Sequence, residues 1–283
     1  DTLNAKAALD AAVSAMHTTD ITVPLMLSIT VNDRYGRILS GQTIEALLAS
    51  ISHFELLSVG LNCSFGAEDM LPSLRTLASI APYYITAHPN AGLPNAMGQY
   101  DQTPPVMAAQ MQQFVNEGLA NIIGGCCGTT PEHIAAMLPL TTLNEPHIPV
   151  TKKALGYSIQ LSGLEPLVTK NGENIFINVG ERCNVAGSRK FLRLIKEKAY
   201  EEALETARKQ VQDGAMVLDI NMDDGLIDAC EEMKHFLHLI GSEPEICRVP
   251  LMIDSSNWDV IRTALKCVQG KCIVNSISLK EGE

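Results

Sequence analysis

The run Gly124-Gly125-Cys126-Cys127-Gly128-Thr129-Thr130-Pro131 closes a short apolar stretch, Asn121–Gly125, and opens a helical pattern over Pro131–Leu138. A strand, a functional loop and a helix in that order make a βα unit, the building block of parallel sheets. Working outward, the same alternation recurs. Strands are predicted at Val23–Val31, Glu55–Cys63 and Tyr83–His88, with helices at Gly41–Ser52, Ala67–Ile80 and Pro104–Glu117. Further along, strands are predicted at Ile175–Val179, Met216–Asn221, Pro250–Asp254 and Cys272–Ser276. Helices are predicted there at Ser188–Asp213, Leu226–Ile240 and Trp258–Cys267.

Between the two sets, Leu140–Gly172 carries Pro146, Pro149 and Pro166 and no sustained period, as expected of a linker. An irregular segment of that length is improbable inside one barrel. The expected fold is therefore α/β, with two (β/α)₈ TIM-type barrels each partly present. The last four units of the first would occupy 1–140, the linker 141–172, and the first four units of the second 173–283. On this reading Asp1 and the closing Lys280-Glu281-Gly282-Glu283 are both internal to a longer protein.

Composition narrows the function. Of 283 residues 46% are hydrophobic and 19% charged, enough apolar side chain for a buried core. Lys and Arg number 21 against 32 Asp and Glu, and a net charge of −11 repels a phosphate backbone, which disfavours nucleic acid as a partner. No apolar run approaches the roughly 20 residues of a membrane span, since Ser28 and Thr30 interrupt Val23–Val31. No export signal precedes Leu3, and eight cysteines without small-scaffold spacing suit reduced thiols in a cytoplasmic protein.

Gly60-Leu61-Asn62-Cys63 puts a cysteine at the carboxyl end of a predicted strand, the catalytic face of a parallel barrel. Cys126 and Cys127 end another strand, and the flanking glycines free the backbone so that both neighbouring side chains can turn inward. Three thiolates are a soft donor set suited to Zn²⁺, and three protein ligands leave the fourth tetrahedral position for water or substrate. A thiol bound there becomes a thiolate nucleophile at neutral pH. The alternative, small buried core cysteines, fits Cys63 taken alone. It fits the glycine-bracketed pair poorly, because glycines contribute no packing. Cys183, Cys230, Cys247, Cys267 and Cys272 share no spacing and read as ordinary interior or loop residues. Thr130-Pro131-Glu132 reads as a helix start whose free N–H groups suit a carboxylate, or simply as a structural cap.

In the second half, polar residues recur at four strand ends: Asn178 and Glu181, Asp219 and Asn221, Asp254-Ser255-Ser256, and Asn275-Ser276. Turn preference explains one or two such ends; four suggest a ligand pocket. A flat heterocycle with N–H donors and a carbonyl needs this equipment, with Asp254 accepting a pair of hydrogen bonds and the Asn275 amide both donating and accepting. Gly187-Ser188-Arg189 precedes a helical run and suits either a cap or an anionic ligand tail. His53, His88 and His133 show no metal-site spacing and read as surface or packing residues.

Gly60-Leu61-Asn62-Cys63, His88-Pro89-Asn90-Ala91-Gly92-Leu93-Pro94-Asn95, and Gly124 through Ile134 resemble the homocysteine-binding domain of the cobalamin-dependent methionine synthase family. The runs Asn178–Phe191, Leu218–Gly225, Ile253–Asn257 and Val274-Asn275-Ser276-Ile277-Ser278 resemble the same family's folate domain. The resemblance implies zinc held by Cys63, Cys126 and Cys127, which activates homocysteine and makes these the catalytic cysteines. It also implies contacts from Gly187, Ser188, Arg189, Asp254 and Asn275 to 5-methyltetrahydrofolate, with Asp219 and Asn221 supporting the pocket. The implied reaction passes a methyl group from 5-methyltetrahydrofolate through cobalamin to homocysteine. No Asp-x-His-x-x-Gly signature occurs in the sequence, so methylcobalamin is expected on a further domain of the same protein, and the piece alone is expected to be inactive. Two rivals share part of these features. A cobalamin-independent zinc homocysteine methyltransferase would need only the first half, and a zinc-stabilised scaffold would need four protein ligands in a closed site.

Overall fold

The computed structural model describes residues 1–142 and 145–276. Ile277 and Ser278 of the last quoted run, and the segment Lys280–Glu283, lie outside the described residues. The chain divides into two compact units between Gly156 and Tyr157, with short segments at 2–7 and 49–51 grouping with the second.

The first unit is built on β1 (Met26–Ile29), β2 (Ser58–Asn62), β3 (Tyr84–His88) and β4 (Ile122–Ile123), paired in that order and parallel throughout. Parallel neighbours require crossover connections. These are supplied by α2 (Ile44–Ile51), α3 (Ala67–Ile80) and α4 (Pro104–Asn116), while α5 (Pro131–Met137) follows β4 and runs into a 3₁₀ turn over Leu138–Thr142. Leu61, Ile85, Met70, Leu74, Leu77, Met107 and Phe114 are fully buried between strands and helices. Gly60 is required where β2 meets β3, because a Cβ there would overlap Thr86.

The second unit repeats the plan. β7 (Val179–Asn184), β8 (Val217–Asn221), β9 (Leu251–Asp254) and β10 (Ile273–Asn275) form a parallel sheet in chain order. The helices are α7 (Arg189–Lys196), α8 (Tyr200–Gln212), α9 (Ala229–Gly241), α10 (Pro244–Cys247) and α11 (Trp258–Leu265). Phe191 and Phe236 meet edge to face at 5.3 Å in its core, a geometry worth about 1 kcal/mol beyond burial.

Three sequence expectations are corrected and one element is added. The strand expected at Ile175–Val179 lies at Val179–Asn184, because Ile175 and Phe176 are exposed while Cys183 is buried against the core. Asn178 therefore precedes the strand, its carbonyl taking the Met216 amide, and Glu181 lies within it; Asn184 is the strand-end residue. The long helix Ser188–Asp213 is two helices. Lys198 breaks it with a φ of 58°, and the buried Glu232 carboxylate binds both the Lys198 ammonium and the Tyr200 hydroxyl. The segment read as irregular holds α6 (Lys152–Leu155) and an antiparallel hairpin, β5 (Tyr157–Ser162) with β6 (Pro166–Lys170). Finally, α1 (Thr2–Thr19) precedes the first strand, its six alanines supplying helix propensity where apolar periodicity is weak.

Candidate functional site

Cys63 directly follows β2 and takes left-handed backbone, φ 61°, with Ser64 at 60°. Non-glycine residues pay strain there, so the arrangement persists only where surroundings over-determine it. Here the Cys63 amide donates to the His88 carbonyl at 3.0 Å, and the Phe65 amide turns back to the Cys63 carbonyl at 2.7 Å. Across the mouth, the Cys126 amide donates to the Pro89 carbonyl at 2.8 Å and the Cys127 amide to Asn90 Oδ1 at 3.0 Å. The result brings three Sγ atoms within 4.8 Å of one another, with Cys63 and Cys127 at 3.6 Å.

The glycines around the pair are there for approach. A Cβ on Gly124 would come within 2.7 Å of the His88 ring, and one on Gly125 would overlap Thr129. Gly128 has a φ of 77° and receives the Tyr100 side chain against its bare Cα. His133 is buried and fully engaged, Nδ1 accepting the Thr130 amide at 3.1 Å and Nε2 meeting the Gln102 carbonyl at 2.8 Å. Its packing role agrees with the sequence reading.

The thiols differ electrostatically. Burial raises the Cys63 thiol, but the Ser64 amide, the Cys127 and Cys126 thiols and Asn90 outweigh it and leave its pKa lowered. Cys126 is pushed up, by burial first and then by Cys63. A tetrahedral metal with metal–sulfur bonds of about 2.3 Å needs sulfurs about 3.8 Å apart. The Cys63–Cys127 distance of 3.6 Å is close to that value and all three sulfurs lie within 4.8 Å of one another, so the cluster could hold a metal ion.

In the second unit the strand-end residues form one network. The Asn184 amide donates to Asp219 Oδ2 at 2.8 Å and to Asp254 Oδ2 at 3.1 Å, and Asn221 donates to the same Asp254 oxygen at 3.0 Å. Asn184 Oδ1 accepts the Gly187 amide at 2.9 Å, joining the Gly187–Arg189 loop to the carboxylates. Ser188 caps α7, its Oγ accepting the Phe191 amide at 3.2 Å, and Arg189 is exposed at the helix start. Asn275 pairs in register with Asp254, and its carbonyl takes the Ser255 amide at 2.8 Å. Asp223 holds the following loop, accepting from the Ser255 hydroxyl at 2.6 Å and the Ser256 amide at 2.7 Å. Burial, aided by the charges of Asp254 and Glu181 and opposed by the Asn184 hydrogen bond, raises Asp219 to about 6.

Sequence reasoning left Asn90, Tyr100 and Asn184 without roles, although Asn90 and Asn184 lie inside the quoted runs. Their part is defined by partners distant in the chain, whereas Asn221, Asp254 and Asn275 sit at strand ends that pattern reading picks out.

Residues 1–139 match the family described as homocysteine S-methyltransferase, and residues 180–283 match the family described as pterin binding enzyme. Among solved structures, the homocysteine methyltransferase MmuM from Escherichia coli, in its oxidized form, is 22% identical over 46% of this chain and 40% of that one, with a TM-score of 0.36. The carboxyl transferase domain of Rhizobium etli pyruvate carboxylase, with pyruvate, is 14% identical over 90% of this chain and 39% of that one, with a TM-score of 0.25. The chain thus spans about 40% of the length of these structures.

Proposed function

We propose that the protein to which this chain belongs transfers a methyl group from 5-methyltetrahydrofolate to homocysteine as a cobalamin-dependent methionine synthase. The observation that carries the reading is the convergence of Cys63, Cys126 and Cys127 within 4.8 Å, in a segment matching homocysteine S-methyltransferases and followed by one matching pterin-binding enzymes. The boundary proposed is a homocysteine part over 1–140, a connection over 141–172 and a folate part from 173, each parallel sheet being one portion of a (β/α)₈ barrel. Cobalamin, the carrier implied by the resemblance, would be held by residues outside this chain, and the proposed compartment is the cytoplasm. Among the described residues no helix is long and apolar enough to cross a membrane.

In this reading Cys63, Cys126 and Cys127 hold zinc. When bound, the metal supplies an open coordination position at which a substrate thiol exists as thiolate at neutral pH. The chain's own residues do the rest. Asn90 and the glycine-rich loop keep the three sulfurs converged. The start of α5 is closed within itself, the Thr130 amide donating to His133 Nδ1 and the His133 and Ile134 amides to the Thr130 carbonyl, so this segment acts as a structural cap. In the second unit both amide bonds to Asp254 fall on Oδ2, so Oδ1 is the acceptor offered to an aminopyrimidinone edge. Asn275 supplies a second contact from the neighbouring strand, and Gly187, Ser188 and Arg189 face the anionic tail.

The test is zinc per chain with sulfur coordination by X-ray absorption, with and without homocysteine, for wild type and Cys126→Ser. About one zinc that gains a sulfur from homocysteine and is lost in the variant supports the reading. A folded protein without zinc, or a metal unchanged by homocysteine, overturns it.

A further inference from the structure

Beside the cysteines, the strands of the first unit carry a polar row that the proposed ligand set does not use. Side chains alternate across a strand, and in β1, β2 and β3 the set Ile29, Leu61 and Ala87, aligned by the pairing, is buried in the core. The opposite face at the same level carries Ser28, Asn62 and His88, all reaching solvent. Ser28 Oγ donates to Asn62 Oδ1 at 2.6 Å, and Asn62 pairs in register with His88. The His88 ring then lies over Gly124, the residue that continues β4. A Cβ there would come within 2.7 Å of ring Cδ2 and 3.2 Å of Nε2. The row thus runs across four neighbouring strands at their carboxyl ends, with Cys63 the next residue after Asn62 and Cys126 two residues after Gly124.

The donors in this row are committed unevenly. The Ser28 hydroxyl occupies the carbonyl oxygen of the Asn62 amide, so the amide presents Nδ2. Among the described residues neither Nδ2 nor the His88 imidazole has a hydrogen-bond partner. Two donors on adjacent strands, about 4.8 Å apart, match the two accepting oxygens of a carboxylate. An ammonium group would need acceptors, and the amide oxygen of Asn62 is already taken. The start of α5 offers no competing pair, since its amides are engaged internally.

We propose that Asn62 Nδ2 and the His88 imidazole N–H hold the carboxylate of the thiol amino acid whose sulfur enters the cysteine cluster. The inference rests on the homocysteine reading above. Ser28 is then a positioning residue that fixes which end of the Asn62 amide faces the substrate. Gly124 is bare so that the imidazole can lie over it.

The experiment compares homocysteine with 3-aminopropanethiol, the same thiol without its carboxylate, binding to the zinc-loaded full-length protein by calorimetry. Asn62→Ala removes one donor, and His88→Phe keeps a ring over Gly124 while removing the other. Each should weaken homocysteine roughly tenfold to hundredfold, the worth of one hydrogen bond to a charged group. Affinity for 3-aminopropanethiol and zinc content should not change, and His88→Gln, which returns a donor, should recover part of the loss. Variants that weaken both thiols alike, or neither, would assign the row a packing role and overturn the inference. Should a variant not fold, the wild type still decides: homocysteine, and not 3-aminopropanethiol, should shift the imidazole resonances of His88. Resonances unmoved by both thiols, or moved equally, overturn the inference. A wild-type protein that takes up no zinc, or whose zinc gains no sulfur from homocysteine, overturns the homocysteine reading itself, which separates the two failures.

Discussion

The two units share one plan and differ in how their strand ends are made. Each has four parallel strands in chain order, with its polar chemistry at their carboxyl ends. In the second unit regular pairing does the work: Asn221 lies opposite Asp254, which lies opposite Asn275, so register alone aligns three side chains on successive strands. In the first unit the thiols meet because the backbone leaves strand geometry, at φ values near 60° for Cys63 and Ser64 and 77° for Gly128. Hydrogen-bonding groups can work at the spacing of neighbouring strands, about 4.8 Å. Sulfurs serving one small ion must come closer, and adjacent cysteines on a regular strand would face opposite ways. The chemistry of the ligand therefore decides whether a strand end stays regular.

The largest effect expected from this contrast is a crossover. Cys126→Ser should remove essentially all bound zinc and leave 5-methyltetrahydrofolate binding intact, and Asp254→Ala should do the reverse, read by metal analysis and equilibrium dialysis. Loss of both properties in either variant would show that the sites are not separable.

The next tests the second mouth alone. Asp219 is held near 6, above its value in an unfolded chain, so the folded state binds the extra proton. Its contribution is full at low pH and is lost as pH rises from about 4 through 6. Asp219→Asn should cancel that loss, gaining about 3 kcal/mol on wild type between pH 4 and pH 7 at 1.36 kcal/mol per pKa unit. Parallel pH profiles from urea unfolding would refute this.

Asn184→Ala leaves Asp219 and Asp254 without their shared donor and should cost about 2 kcal/mol of stability while weakening folate binding. Zinc content should not change. The smallest effect sharpens the role of the loop before α7: Ser188→Ala should cost about 1 kcal/mol through the lost cap. A loss of folate affinity greater than that, measured by calorimetry, would identify Ser188 as a ligand contact as well.

Particular elements show what patterning can and cannot say. Ala67–Ile80 is a helix at its expected limits, since apolar residues spaced by three and four leave one buried face. Tyr157–Ser162 alternates apolar and polar residues and forms a strand, but three nearby prolines masked that signal. Ile175 and Phe176 are apolar yet exposed, and the strand begins at Val179 because pairing with β8, including a bulge between Gly180 and Cys183, outweighs local hydrophobicity.

Sequence by itself determined the alternation of strands and helices, the cysteines at strand ends and the row of acids and amides, because period, residue type and glycine placement are local properties. Tertiary structure alone decided that three thiols converge, that Asn184 spans two carboxylates, and that Tyr100 packs against Gly128. These are contacts between residues far apart in the chain. They depend on crossover connections and on backbone turns whose strain is balanced by partners that no local pattern specifies.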